Sequence, residues 1–145
     1  MVNSRQKGAR GEENVRELLV ASTALPFERV PGSGCGKIKG DLYIPGKRNA
    51  FCIEIKSYAE SPLSDKVLTN KTNNLVQWWT KLHRQAKQEN QTPLLMFKYN
   101  RSKWFVVTKS EPASVKNFLY ISALNCYVML LDEWLTNERI EWLKS

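Results

Sequence analysis

Residues 40–58, GDLYIPGKRNAFCIEIKSY, contain two short apolar runs separated by the turn residues GKRN. Both runs are rich in the β-branched and aromatic residues that favour strands, so the stretch predicts a β-hairpin. Side chains alternate between the two faces of a strand. Glu54 and Lys56 therefore point the same way, while Ile55 between them points to the opposite face. The hairpin thus presents a carboxylate and an ammonium group side by side.

The register of this hairpin brings a second carboxylate to the pair. If GKRN is a four-residue loop closed by Pro45 opposite Ala50, Asp41 lies directly opposite Glu54. Their Cβ atoms would then be roughly 4.5–5.5 Å apart, where like charges destabilise a sheet. A divalent cation would offset that repulsion, and Mg²⁺ commonly binds one or two carboxylates together with phosphate oxygens and water. Lys56 could orient an attacking water and stabilise negative charge that develops on a phosphate.

The rest of the chain predicts further helices and strands on both sides of the hairpin. A helix is expected over 4–21 and a second over 75–90, the latter with an apolar stripe of Leu75, Trp79, Leu82 and Ala86. Further strands are expected at 27–30, 93–100, 103–109 and 127–131, loops at 31–40 and 61–72, and a last helix over 133–144 capped by Asp132. This order predicts one mixed α/β domain spanning residues 1–145.

Glu12 is the polar exception on the apolar face of the first helix. It lies in line with Val15 and Leu19, a poor location for an unpaired charge. Glu12 could reach the same cation or a water bound to it, and the alternative is a boundary glutamate neutralised by a lysine. Gly8 and Gly11 on that face would let the helix approach another backbone closely.

Composition bounds the class of protein. A chain of 145 residues with 42% hydrophobic and 25% charged residues is typical of a soluble globular domain with its own core. No apolar run approaches the ~20 residues of a membrane span, and the polar N-terminus lacks the apolar stretch of a secretory signal. Three cysteines without metal spacing and a single histidine favour reduced thiols and argue against a zinc site. We expect a cytoplasmic protein, in the host cytoplasm if its source is a virus.

The net charge of +8 is concentrated in the first three quarters of the chain. Residues 1–109 hold 19 Lys and Arg against 9 Asp and Glu, whereas residues 110–145 hold 3 against 5. This distribution is typical of a face that binds a polyanion such as nucleic acid. A solvated basic surface explains the charge equally well.

Three stretches together resemble a known family: KGARGEENVRELL (7–19), RVPGSGCGKIKGD (29–41) and IEIKS (53–57). They are similar to the archaeal-type Holliday junction resolvases of the PD-(D/E)XK nuclease superfamily, which also occur in viruses. The shared pattern is K-G-x-x-x-E in the first helix, an R-x-P-x-S-G loop, G-D at a strand start and E-x-K on the next strand. The resemblance implies the restriction-endonuclease-like nuclease fold, a central mixed β-sheet flanked by helices. Residues 58–72 depart from the family pattern.

The resemblance also implies roles for particular residues. It implies a metal site for Mg²⁺, with Mn²⁺ as a substitute, and Lys56 as a catalytic residue. The metal would be bound by the acids Glu12, Asp41 and Glu54 and by the carbonyl of Ile55. Ser33 matches a serine near the active site, although turn chemistry between two glycines explains it as well. The alternative for Asp41 is a turn residue at a strand edge, and for Glu54 and Lys56 a solvent-facing ion pair of little energetic worth.

The expected function is therefore structure-selective DNA cleavage in recombination or repair. The protein would resolve four-way junctions by paired symmetric nicks, which need two sites and hence a homodimer. Contacts to DNA phosphates, which position the duplex without reading its sequence, are expected from Arg5, Lys7, Arg10, Arg29, Lys37 and Lys39. For any one of these cations alone, solvated surface is the better explanation. The alternatives are a nuclease of the same fold that acts on duplex or other branched DNA, and a basic DNA-binding module without catalysis.

The aromatic residues and the histidine suggest no separate site. Five tryptophans invite a base-stacking interpretation, but core or interface packing is the better expectation for them. His83 is expected on the flank of the second helix rather than in a catalytic role.

Overall fold

The computed structural model describes residues 4–31, 38–69 and 73–145, with the backbone alone at residues 4 and 5. Its helices are α1 (Ser4–Thr23), α2 (Lys66–Thr69), α3 (Asn74–Gln88) and α4 (Leu131–Asn137). Its strands are β1 (Glu28–Arg29), β2 (Leu42–Tyr43), β3 (Phe51–Tyr58), β4 (Thr92–Tyr99), β5 (Phe105–Thr108), β6 (Leu119–Ile121) and β7 (Cys126–Leu130). The strands form one seven-stranded sheet in the order β1-β2-β3-β4-β5-β7-β6. Only β3 and β4 among them run parallel, so the sheet is mixed and the predicted α/β class is confirmed.

Helices cover both faces of the sheet and create two cores. Val15 and Leu19 of α1 are fully buried in one core, together with Ile53 and Ile55 of β3. The predicted apolar stripe of α3 is buried in the other core, against Leu95 and Phe97 of β4. The central strand β4 is apolar at every position from 93 to 97 because both of its faces are covered. Burial of each large aliphatic side chain contributes about 1.5–3 kcal/mol.

The β2–β3 hairpin has the predicted register. Leu42 pairs with Ile53, as predicted, and the preceding residue, Asp41, also donates its backbone N–H to Ile53 O, so Asp41 is held against Ile53 rather than in a regular pair with Glu54. Asn49 closes the loop, because its side chain accepts a hydrogen bond from Ile44 N and donates one to Ile44 O. It thereby takes the place of a backbone partner.

Gly40 fixes the entry into β2. Its φ is +89°, and a Cβ atom at this position would lie 2.7 Å from the carbonyl oxygen of Ile53. Any other residue would clash with the backbone of β3. The Gly40–Asp41 pair is thus needed to bring Asp41 against the strand that carries Glu54.

The C-terminal region differs from the prediction. Helix α4 begins at Leu131, its N-cap is Leu130, and Asp132 lies inside the first turn, so the predicted Asp132 cap is wrong. The helix ends at Asn137 instead of 144 because the chain turns back to bury Trp142. The ring of Trp142 lies 5.1 Å from that of Phe27 and 5.4 Å from that of Phe51.

Two short elements were absent from the prediction. Helix α2 lies within the segment expected to be a loop, and it buries Val67. Strand β6 pairs with β7 at the edge of the sheet and leaves Leu119 and Tyr120 exposed. Both elements are too short to give a periodic apolar pattern.

Two sequence-based expectations concerned the thiols and the absence of a membrane span, and the described residues bear on both. Cys52 and Cys126 are free and buried, and burial raises the pKa of each thiol to about 12. In the described parts of the chain, no helix has the length and apolar character needed to cross a bilayer.

Candidate active site

A cavity of about 450 Å³ lies where the N-terminal half of α1 meets the second half of β3. Its lining contains six of the predicted site residues, five from the predicted metal and catalytic set and Lys7 from the predicted DNA contacts. The full lining is Lys7, Gly8, Glu12, Asp41, Glu54, Ile55, Lys56, Ser57, Tyr58 and Ala59. Segments distant in sequence therefore converge at this position. Asp41 and Glu54 both border this cavity.

Two hydrogen bonds hold Asp41 against β3. Its backbone N–H donates to Ile53 O at 2.6 Å, and its Oδ2 accepts from Ile55 N at 2.7 Å. The N–H and C=O groups of one strand residue point to the same side of the strand. The carbonyl of Ile55 is therefore directed to the side occupied by Asp41, as the expected metal contact requires.

Asp41 is the electrostatically perturbed residue of the site. Burial, and next the negative charge of Glu54, raise the pKa of Asp41 from 3.8 to about 7. The hydrogen bond from Ile55 N–H opposes this rise, Glu12 adds to it, and Lys56 opposes it. The pair of acids thus lacks positive charge, although Lys56 Nζ lies 3.2 Å from Glu54 Oε1.

These donors suit a hard divalent cation. Two carboxylates and a backbone carbonyl are oxygen ligands, which Mg²⁺ and Ca²⁺ prefer over nitrogen or sulfur. A cation next to Asp41 would also remove the electrostatic cause of its raised pKa. The donor set and the charge deficit both fit the predicted metal.

Glu12 has a partner that the sequence did not indicate. Arg29 Nε lies 3.4 Å from Glu12 Oε1, so the neutralising cation is an arginine of β1 and not a lysine. Over residues 4–31, 38–69 and 73–145, no three His, Cys, Asp or Glu side chains form a metal-binding cluster. Glu12 lines the same cavity as Asp41 and Glu54. Its role as a metal ligand stays a prediction.

Gly11 positions α1, whereas Gly8 does not. A Cβ atom on Gly11 would lie 3.3 Å from Ser57 Cβ and 3.5 Å from the ring of Trp104, so its absence allows close packing on β3. A Cβ atom on Gly8 would meet nothing within 4 Å, and the predicted close approach there is wrong. Gly8 instead lines the cavity.

The predicted DNA contacts fall into three groups. Lys7 lines the cavity and donates to Asn100 Oδ1 at 3.0 Å, and Arg29 pairs with Glu12. Arg10 and Lys39 are exposed. Ser33, Lys37 and the side chain of Arg5 lie outside the described residues.

A second group of cations contains Lys39, which was predicted to contact DNA, and three basic residues that were not predicted, Lys47, Arg48 and Lys144. A cavity of about 520 Å³ beside the β2–β3 hairpin is bordered by four basic side chains, Lys39, Lys47, Arg48 and Lys144, and by one acid, Glu89. Lys144 comes from the far end of the chain, so only the fold brings this group together.

Tyr58 was also missed, although the sequence carried a signal for it. It follows Lys56 by two residues on the same strand and lines the same cavity.

The tryptophans behave as expected, since Trp78, Trp79, Trp134 and Trp142 are buried. His83 is exposed on α3, away from the residues that line the cavity.

Comparison with known proteins decides the class. The family model described as "Phage putative PDDEXK endonuclease" matches residues 3–144. The chain belongs to this phage PDDEXK endonuclease family. It is also 34% identical over 154 aligned residues to Protein D14 of Escherichia phage T5, covering 97% of this chain and 96% of that protein. The family match confirms the predicted PD-(D/E)XK nuclease class and its viral branch.

One solved structure is similar in outline. It is that of Archaeoglobus fulgidus Hjc, a Holliday junction resolvase from an archaeal hyperthermophile, with a TM-score of 0.47 and 17% sequence identity. The similarity covers 90% of this chain and 94% of that one.

Proposed function

We propose that this protein is a metal-dependent DNA endonuclease that resolves four-way junctions by paired symmetric nicks. The observation that carries the proposal is that Asp41, Glu54, Ile55 and Lys56 line one cavity, in which two hydrogen bonds hold the partly buried Asp41 against β3. A structural carboxylate gains nothing from such a position, whereas a metal ligand does. The junction as substrate is supported by the resolvase-like motifs at residues 7–57.

Each residue of the site has a chemical task in this proposal. Asp41, Glu54 and the carbonyl of Ile55 would hold the cation, Mg²⁺ or in its place Mn²⁺, and Glu12 would hold a water beside it. When bound, the cation supplies Lewis-acid stabilisation of the phosphate oxygens. Lys56, which pairs with Glu54 at 3.2 Å, would stabilise charge on the phosphate and orient the attacking water. Ser33, which lies outside the described residues, is assigned a role near the site only by its match to the family motif.

The substrate is held by charge and by symmetry. Phosphates on either side of the cut would contact Lys7, Arg10, Arg29 and Lys39, together with Arg5 and Lys37. Each phosphate neutralised steepens the salt dependence of binding by about 0.9 log units per log unit of salt. Two symmetric nicks need two sites, so the active form would be a homodimer of single nuclease domains, each spanning residues 1–145. Since the family is a phage family, the proposed place of action is the host cytoplasm.

A cleavage assay tests this function. The protein is incubated with Mg²⁺ or Mn²⁺ and with labelled four-way junction, continuous duplex and single-stranded DNA of matched sequence. Paired symmetric nicks confined to the junction are the expected result. Comparable cutting of plain duplex would replace the junction with a restriction-type or repair-type substrate. Tight binding without any cutting would indicate a DNA-binding module.

Matched variants assign the residues. Asp41→Asn and Glu54→Gln should abolish cutting and leave junction binding largely intact, because they remove ligand charge and keep side-chain shape. Asp132→Asn and Glu17→Gln are the controls, since both acids are exposed and lie outside the cavity. Activity retained by Asp41→Asn or Glu54→Gln would remove that residue from the proposed site.

A further inference from the structure

Tyr58 stands between the candidate active site and a neighbouring cavity. It is the last residue of β3, its side chain is 41% exposed, and it lines the cavity that holds Asp41 and Glu54. It also lines a second cavity of about 610 Å³ formed by the chain that follows β3. A ligand that extends from the reacting phosphodiester into the second cavity would therefore pass over Tyr58.

The ring of Tyr58 is supported from below. Its centroid lies 4.9 Å from that of Trp78, at an interplanar angle of 55°. Trp78 is buried, and its ring centroid lies 6.3 Å from that of Phe97 on the central strand, so Trp78 is packed in the core. Tyr58 thus offers an exposed aromatic surface on a fixed base, at a low cost in side-chain entropy on binding.

The second cavity has the wrong charge for a phosphate. Glu60 and Asp65 line it, with Ser61 between them in sequence and one lysine, Lys66, at its edge. In a chain of net charge +8, this is an unusual place for two carboxylates. Carboxylates accept hydrogen bonds from the exocyclic amine of cytosine, and hydroxyl groups serve as donors or acceptors to base edges. The cavity therefore suits the edge of a nucleobase better than the DNA backbone.

We propose that Tyr58 is a stacking platform for a nucleobase next to the cleaved phosphodiester, and that the base edge enters the cavity lined by Glu60 and Asp65. The proposal rests on the nuclease function above and deepens it. Bases at a branch point have lost a stacking neighbour, so they leave the helix at lower cost than bases in continuous duplex. Stacking on an aromatic ring tolerates any base. Stacking on Tyr58 would thus favour branched over continuous DNA whatever the base, and a base preference would come only from Glu60 and Asp65.

Three variants separate stacking from mere coverage of Trp78. Tyr58→Leu keeps an apolar cover over Trp78 but removes the aromatic surface, and Tyr58→Phe keeps the ring. Tyr120→Leu is the matched control, since Tyr120 is a 52% exposed tyrosine on edge strand β6, outside both cavities. Thermal melting establishes that each variant folds.

Junction binding and cleavage are then compared among these proteins. Tyr58→Leu should lower junction affinity and kcat/KM by about tenfold or more, as expected for loss of one aromatic–base stack. The slope of log K against log salt should not change, because no phosphate contact is lost. Tyr58→Phe should restore what Tyr58→Leu removes, and Tyr120→Leu should have no effect. Equal activity of the wild type and Tyr58→Leu, or equal losses in the leucine and phenylalanine variants, would overturn the proposal.

A crosslinking measurement does not depend on how the Tyr58 variants fold. A four-way junction with 5-iodouracil at the branch point is bound to the Glu54→Gln protein and irradiated, and the crosslinked residue is identified by mass spectrometry. A crosslink at Tyr58 is expected. Crosslinks elsewhere with none at Tyr58 would overturn the stacking role even if the wild type cuts junctions. A wild type that cuts no DNA would instead overturn the proposed function, and the crosslink would still test Tyr58.

Discussion

Replacement of Asp41 by asparagine should stabilise the metal-free protein at neutral and alkaline pH. The amide has nearly the shape of the carboxylate and can still accept the hydrogen bond from Ile55 N–H. It carries no charge, so it removes both the burial of a charge and the repulsion by Glu54 that raise the pKa of Asp41 to about 7. A ligand residue should therefore be a source of instability when the metal is absent.

The pH dependence has a definite sign. The pKa of Asp41 is about 7 in the folded chain and near 3.8 in the unfolded one, so between these values the folded state binds more protons. The wild type should thus lose stability as pH rises from about 4 to 7 and change little from this source above 7. The Asp41→Asn variant lacks this loss.

The size of the effect follows from the shift. At about 1.36 kcal/mol per pKa unit, the rise corresponds to ~4 kcal/mol as an upper bound. Partial exposure of Asp41 and its coupling to Glu54 reduce this to about 2 kcal/mol. For a domain of this size that is roughly a 6 °C rise in Tm at pH 8, and no difference is expected at pH 4.

Circular dichroism melts in the presence of a chelator, from pH 4 to pH 8, measure this difference. Asp65→Asn is the matched control and should follow the wild type, because Asp65 is exposed and outside the cavity. Added Mg²⁺ should raise the Tm of the wild type and of Asp65→Asn but not that of Asp41→Asn, since a ligand that binds only the folded state stabilises it. The reasoning is refuted if the Asp41→Asn variant is less stable than the wild type at pH 8, or if their difference is independent of pH.

Three further predictions concern the glycines of α1, the carboxylate of Glu138 and the ammonium group of Lys56. Gly11→Val should destabilise the fold by about 1–3 kcal/mol in denaturant titrations, because it forces α1 away from Ser57, whereas Gly8→Ala should stabilise the helix by up to about 1 kcal/mol. Glu138→Gln should cost about 1 kcal/mol at pH 7, since the carboxylate accepts hydrogen bonds from the N–H groups of residues 113–115. Burial acts to raise the pKa of Glu138, but those donors lower it overall, so the difference should vanish as the wild type is acidified through that pKa. Lys56→Met should abolish cleavage in gel assays and retain junction binding; cleavage within a few-fold of the wild type would contradict its assigned task.

The central part of the site could be predicted because it depends on local rules. Period-two alternation set the shared face of Glu54 and Lys56, and the length of the loop set the register that pairs Leu42 with Ile53 and so brings Asp41 against β3. Both rules act within 18 residues of chain, so no tertiary information was needed. The family match then confirmed the nuclease class that these motifs had suggested.

The remaining features depend on packing between distant segments. The Arg29–Glu12 pair forms only because β1 and α1 meet beside the sheet, and the end of α4 is set by Trp142 packing on Phe27. Tyr58 is different, since alternation from Lys56 already indicated its direction. Alternation does not indicate that the Tyr58 ring packs on Trp78, because that contact depends on how α3 packs against β3.

Asp41 and Glu54 are proposed to hold a divalent cation together. A titration that measures Mn²⁺ binding to the protein tests this role directly. Electron paramagnetic resonance at pH 8, without DNA, counts free and bound Mn²⁺ as the ion is titrated into each protein. We expect a single saturable Mn²⁺ site in the wild type and in Glu17→Gln. We expect no such site in Asp41→Asn or in Glu54→Gln. Mn²⁺ binding that is undiminished in those two variants would contradict this role.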